Sequence, residues 1–232
     1  MGAPLAILAA FGVTLALAGP GGGNAARAGG DRLDPNVALR ISARDPARTL
    51  PRLAPALATA ASQPALSRAL HRGSAALTRA GVDPKRELLA PLSFVVISLE
   101  RSCPPPAILA CRPALRFAGR VRDQPPPSLQ RHLRAALVAG LRAAGYQQMV
   151  VRGSQADGEL AGRVSSRGEA LARWRLVDGV LEVVTGGIAL RPAAAAAVLR
   201  SDSAEASAGS SPAAALEVNP TLLATLVGDG SP

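Results

Sequence analysis

The chain has 232 residues, a formal charge of +10 and 48% hydrophobic residues, yet only one Trp, one Tyr and three Phe. That length allows one ordinary domain with tails or two very small ones. Because 49 residues are Ala and 32 are Leu, the apolar inventory is small-sided and excludes a core built mainly on aromatics. The basic excess is 25 Arg beside the single Lys85, a bias that accompanies abundant Ala, Gly and Pro and a GC-rich coding sequence, so charge alone does not establish a nucleic-acid partner.

In chain order, the run Ala3 to Ala18, "APLAILAAFGVTLALA", carries no charge and is followed at once by "GPGGGNAARAGG". It falls short of the roughly 20 apolar residues of a membrane span and suits the apolar region of a signal peptide. Two small-x-small sites end at Ala18 and Ala28, so the mature chain is expected to begin at Gly19 or Gly29. No Lys or Arg precedes the run, and an uncleaved N-terminal anchor is the alternative; the absence of Cys nearby argues against a lipoprotein. The expected division is a signal peptide or anchor over 1–28, one α+β domain over 29–200, and a low-complexity segment with a short C-terminal element over 201–232.

"NVALRIS" alternates Val37, Leu39 and Ile41 with polar residues, the period of a half-buried strand. Asp45-Pro46 reads as an N-cap and first helical position, opening a helix to Ala61 that Pro51 and Pro55 interrupt. Leu66, Leu70 and Leu77 stand opposite Arg68, Arg72 and Arg79 on a helix over 65–80 that Gly81 stops. Asp83 caps a short helix begun by Pro84, which leads into a strand over 92–99. A second strand, with Leu115, Phe117 and Val121 on one side, is broken by "DQPPP"; Ser128 then opens a helix to Ala144 with Leu129, Leu133, Leu137 and Leu141 on one face, and Gly145 follows it. Strands are expected near 146–152, 158–165, 169–177 and 180–186, the last two joined by the hairpin turn Asp178-Gly179. An Ala-rich helix over 192–200 precedes a segment, 201–215, whose composition predicts disorder, and a strand and a helical turn at Asn219-Pro220 close the chain. The order predicts an α+β fold, a mostly antiparallel sheet with helices packed on one face.

Cys103 and Cys111 enclose "PPPAILA" between two strand-like segments. If those segments pair as a hairpin, the cysteines face one another at its mouth and a disulfide can close it; two reduced, semi-buried thiols are the alternative. Two Cys with no adjacent His fall short of a metal-ligand set.

Arg116, Arg120 and Arg122 point to one side of their strand, and Arg173 and Arg175 flank Trp174 on another, so adjacent strands would make a five-Arg patch for anionic lipid or acidic polysaccharide. The plainer reading is the solvated side of amphipathic elements, with arginine stems covering the sheet. Residues 29–152 carry 19 basic and 7 acidic groups, and residues 153–232 carry 6 and 9, so an anionic partner is expected on the first part. Nucleic acid is not expected: single-strand binding needs aromatic platforms, and Phe94, Phe117 and Trp174 are placed as core.

Catalytic groups are scarce. His71 and His132 are the only histidines and each is read as a surface residue beside an Arg row. The hydrolase and phosphate-loop patterns are missing, and neither cofactor nor metal is implied. Acidic pairs such as Asp83 with Glu87, or Asp157 with Glu159, leave an atypical hydrolase as a third possibility, although Asp83 is explained as a cap and Asp157-Gly158 as a hairpin turn.

The stretch "LTRAGVDPKRELLAPLSFVVISL" and the later "ARWRLVDGVLEVVTGG" resemble a group of uncharacterised exported bacterial proteins, through Gly81, Val82, Asp83 and Pro84, then Leu88, Leu89, Pro91 and Leu92, then Gly179, Leu181 and Val183. The resemblance implies an envelope-associated α+β domain over residues 36–200 and assigns no functional residue. The combined expectation is an exported, non-enzymatic binding or scaffolding protein, with a binder of anionic surfaces as the alternative.

Overall fold

The computed structural model describes residues 34–50, 72, 75–102, 111–122, 128–143, 147–153, 157–163, 168–185, 188–191, 195–197, 199–200 and 214–228. Eight strands among them form one sheet: β1 (Val37–Arg44), β2 (Leu92–Ser102), β3 (Arg112–Val121), β4 (Gln147–Gly153), β5 (Asp157–Arg163), β6 (Gly168–Val177), β7 (Val180–Thr185) and β8 (Ala214–Val218). Their spatial order is β4-β5-β6-β7-β3-β2-β1-β8, and every neighbouring pair is antiparallel. The expected α+β class with an antiparallel sheet is therefore what the chain forms.

Alternation sorts the strand residues onto two faces. On the first face Leu39 and Ile41, Val95 and Ile97, Leu115 and Phe117, Leu181 and Val183 join Trp174 and Leu216 in the principal core. A bulge between Leu92 and Phe94 shifts the period of β2, which is why Leu92 shares this face with Val95. The helical layer lies here. It comprises α1 (Pro46–Thr49), a helical stretch over 75–79, a wide turn over Pro84–Leu89, α2 (Leu129–Ala143) and α3 (Pro220–Gly228). Leu77, Leu88, Leu89, Leu222 and Leu223 enter the core from it, with Leu129, Leu133, Leu137 and Leu141 of α2 on the face their spacing requires. The Pro84–Leu89 turn is wound wider than an α-helix: the Ala90 N–H reaches the Lys85 carbonyl at 2.9 Å. Asp83 caps it as expected, its Oδ1 accepting from the Lys85 and Arg86 N–H groups at 2.9 and 3.2 Å.

The second face is partly covered as well. Phe94, Val96, Ala118 and Val180 meet Ala195 and Leu199 of the Ala-rich helical residues, so the helices do not all pack on one side. Phe94, Val96, Ala118 and Val180 form an apolar patch on a face that also carries Ser98, Arg116, Arg120 and Glu182, and covering such a patch removes it from water.

Three local expectations change. Asp45 makes no side-chain cap; it takes the left-handed conformation, φ 45°, and its carboxylate turns to Arg122. Asp157-Gly158 is not a turn but the start of β5, with Gly158 opposite Gly153 and Trp174. Ala214 and Ala215, assigned to the low-complexity segment, pair with Ala43 and Ser42 of β1. Residues 214–228 are thus part of the same sheet and core, while 201–213 lie outside the described residues, as do 51–71 and the cleavage candidates Ala18 and Ala28. Asp178 and Gly179 do form the two-residue turn, with φ 50° and 72°, the pair of positive values that a type I′ hairpin demands.

Candidate functional site

Arg116 lies on the second sheet face, facing two carboxylates. Its Nε donates to Glu100 Oε1 at 3.2 Å and its Nη1 to Glu182 Oε1. Glu182 is 0% exposed and its other oxygen accepts the Arg191 N–H at 2.7 Å. The Ser98 hydroxyl donates to Glu100 at 2.7 Å. A buried carboxylate is tolerable only with a counterion and with its remaining lone pairs satisfied, so Arg116 is occupied as the internal partner of Glu182.

The other strand arginines do not converge into the expected patch. Arg122 Nη2 is 2.5 Å from Asp45 Oδ1 and its Nε donates to the Ala90 carbonyl at 3.1 Å, fastening the end of β3 to the β1–α1 corner. Arg173 stands in register with Glu159, and Arg175 with both Asp157 and Glu182. Arg120 is exposed, with Phe94 and Val180 as its neighbours in register. One row across the sheet runs Glu217, Arg40, Ser98, Arg116, Val184, Arg173, Glu159. The two acids of this row stand at its ends, beside Arg40 and Arg173, and Arg116 between them is met by Glu100 and Glu182, so these arginines all have acidic neighbours.

The segregated charge lies instead on the helical layer. Arg72, Arg79, Lys85, Arg86, Arg131 and Arg142 are exposed there, and the acids among residues 75–90 and 128–143 are Asp83, used as a cap, and Glu87. Glu87 accepts the Asp83 N–H with Oε2 at 3.1 Å and presents Oε1 to His132 Nε2 at 3.5 Å. His132, expected on the surface, is instead half-buried between α2 and the Pro84–Leu89 turn, and its Nδ1 has no hydrogen-bond partner. His71 lies outside the described residues.

Between the 75–79 helix and α2 an open groove of about 290 Å³ is lined by Ala76, Arg79, Ala80, Ala139, Arg142 and Ala143. Its base is methyl groups and its two long side chains are both guanidinium-bearing. Among the described residues that line it there is no carboxylate.

Phe94, Phe117 and Trp174 are core residues, as expected. Trp174 lies flat over Gly158, where a Cβ would come within 2.1 Å of its ring. Cys111 is exposed just before β3 and is not a free thiol; Cys103 lies outside the described residues. Among the described residues there is no group of three or more His, Cys, Asp or Glu placed to hold a metal, and no helix long and apolar enough to cross a membrane. Comparison with family models, curated proteins and solved structures gives no match to this chain.

Sequence reading missed Glu182. Its signal was present as a lone acid inside the otherwise apolar run "VLEVVT", a pattern that in a central strand demands a counterion from a neighbour.

Proposed function

We propose that this is an exported, non-enzymatic protein of the periplasm or cell envelope, a binding and scaffolding domain that attaches to anionic surfaces, phospholipid or acidic polysaccharide, through its helical layer. The observation that carries the reading is the segregation of charge: arginines on the sheet have acids beside them, whereas the described residues of the helical side expose seven cations, Arg48, Arg72, Arg79, Lys85, Arg86, Arg131 and Arg142. Such a field attracts polyanionic surfaces at long range and weakens with salt. The buried positions of Phe94, Phe117 and Trp174 favour a lipid or polysaccharide surface over single-stranded nucleic acid.

Export is supported by the uncharged run Ala3 to Ala18 and by the bonded state of Cys111. We take Cys103 as the partner of Cys111. The described pairing of β2 with β3 runs out to Ser102↔Arg112, the residues next to the two cysteines, which supports a bridge that closes this hairpin.

Co-sedimentation with vesicles of phosphatidylglycerol and phosphatidylcholine, against phosphatidylcholine alone, at two salt concentrations tests the surface. Binding is expected only with the anionic lipid, falling steeply with salt, and Arg86→Glu with Arg131→Glu is expected to reduce it while Arg120→Glu leaves it unchanged. Salt-indifferent binding, or none to either anionic vesicles or acidic polysaccharide, overturns the reading. The mature N-terminus of natively expressed protein tests export, a start at Gly19 or Gly29 being the expected result.

A further inference from the structure

We infer that the groove between the 75–79 helix and α2 is a headgroup site for one anionic phospholipid of the membrane surface. This rests on the anion-binding reading of the helical layer and names the point at which diffuse attraction becomes a stoichiometric contact. The volume, about 290 Å³, is at the lower end of small-molecule pockets, roughly 300–1,000 Å³. It holds a phosphate and the first carbons attached to it rather than a whole lipid.

The opening exists because of side-chain size. Leu77, Leu137 and Leu141 turn toward the sheet, and the positions where the two helices face each other above them are Ala76, Ala80, Ala139 and Ala143. Among the described residues the base of the space is lined by methyl groups, short hydrocarbon suited to the carbons next to a phosphodiester. Arg79 reaches it from one helix and Arg142 from the other. The Arg79 Nε donates to the Ala75 carbonyl of its own helix at 3.1 Å, so the donors a bound anion would meet are the terminal nitrogens. Two guanidinium groups that line one groove, with no acid among its described lining residues, repel each other, and an anion between them relieves that repulsion while accepting paired N–H donors from each.

The experiment is titration of the full-length protein with dihexanoyl phosphatidylglycerol below its micelle concentration, followed by calorimetry and by chemical shifts of α2. Saturable one-to-one binding is expected. Arg79→Gln and Arg142→Gln are each expected to weaken it at least about tenfold, the loss of a charge-assisted hydrogen bond. Ala80→Leu, which fills the groove without changing charge, is expected to weaken it as well, and Trp174 fluorescence reports that each variant is folded. Arg86→Glu with Arg131→Glu is expected to lower vesicle attachment and leave the one-to-one event intact. Inorganic phosphate binding as tightly as the lipid would replace the lipid by a free anion. No saturable binding, or binding unchanged in Arg79→Gln with Arg142→Gln, overturns the site even where vesicle attachment persists; lost vesicle attachment with the one-to-one event retained overturns the surface reading instead.

Discussion

Removing Arg116 is expected to cost far more than removing its partner, and the asymmetry follows from burial. In Arg116→Met, Glu182 stays at 0% exposure, keeps the Arg191 N–H and loses the guanidinium that bonds it directly, with Arg175 in register on β6. Leaving a buried charge uncompensated costs about 3–5 kcal/mol, a large share of the ~5–15 kcal/mol that holds a domain together. In Glu182→Leu the guanidinium left behind is 22% exposed and keeps Glu100 at 3.2 Å. That variant loses a charge-assisted bond and the acceptor of one backbone N–H, about 1–3 kcal/mol. The double variant removes both charges and should lie within about 2 kcal/mol of the parent, since replacing a buried pair by apolar residues is often near neutral. Urea unfolding read by Trp174, the single tryptophan and 1% exposed, measures all three. With a slope near 2 kcal/mol/M, Arg116→Met should lower the midpoint by about 1.5–2.5 M. Equal losses in the two single variants, or a double variant equal to their sum, would refute the counterion argument.

Three other outcomes are expected. Gly158→Ala places a Cβ 2.1 Å from the Trp174 ring, and should destabilise by about 1–3 kcal/mol with a shift in tryptophan emission, measured by thermal unfolding and fluorescence. Gly179→Ala forces a Cβ into φ 72° and should cost about 1–2 kcal/mol, whereas Asp178→Gly should change the midpoint little. If Cys103 and Cys111 are paired as proposed, alkylation without reductant labels neither, and the double Ser variant loses about 2.5 kcal/mol for a loop of this length; labelling of both without reductant refutes the bridge.

The elements that sequence revealed are those whose cause is local. The Leu row of α2, the Asp83 cap and the Asp178-Gly179 turn each depend on residues within a few positions of one another. Arg116 and Arg120 do share a strand face, as the period of two requires. What that period does not reveal is which strand lies alongside. Glu182 meets Arg116 across 66 positions, and Ala118↔Glu182 is a pairing of distant segments. Asp45 escaped its capping role for the same reason, because Arg122 reaches it from 77 positions away. The groove, likewise, depends on Ala residues from two helices that become neighbours only in the folded layer.

The last strand of the chain lies beside the first: β8 pairs with β1 through Leu39↔Val218 and Ala43↔Ala214. During synthesis or translocation the outer backbone groups of β1 therefore wait, unpaired, until β8, which begins 170 positions after Arg44, has emerged. A sheet that closes so late has high contact order and folds slowly. Its open rim is also a template for pairing with other chains. The stage before residue 214 arrives is thus the one at which this protein depends most on whatever keeps nascent chains apart, and truncation within β8 should appear first as aggregation rather than as loss of binding.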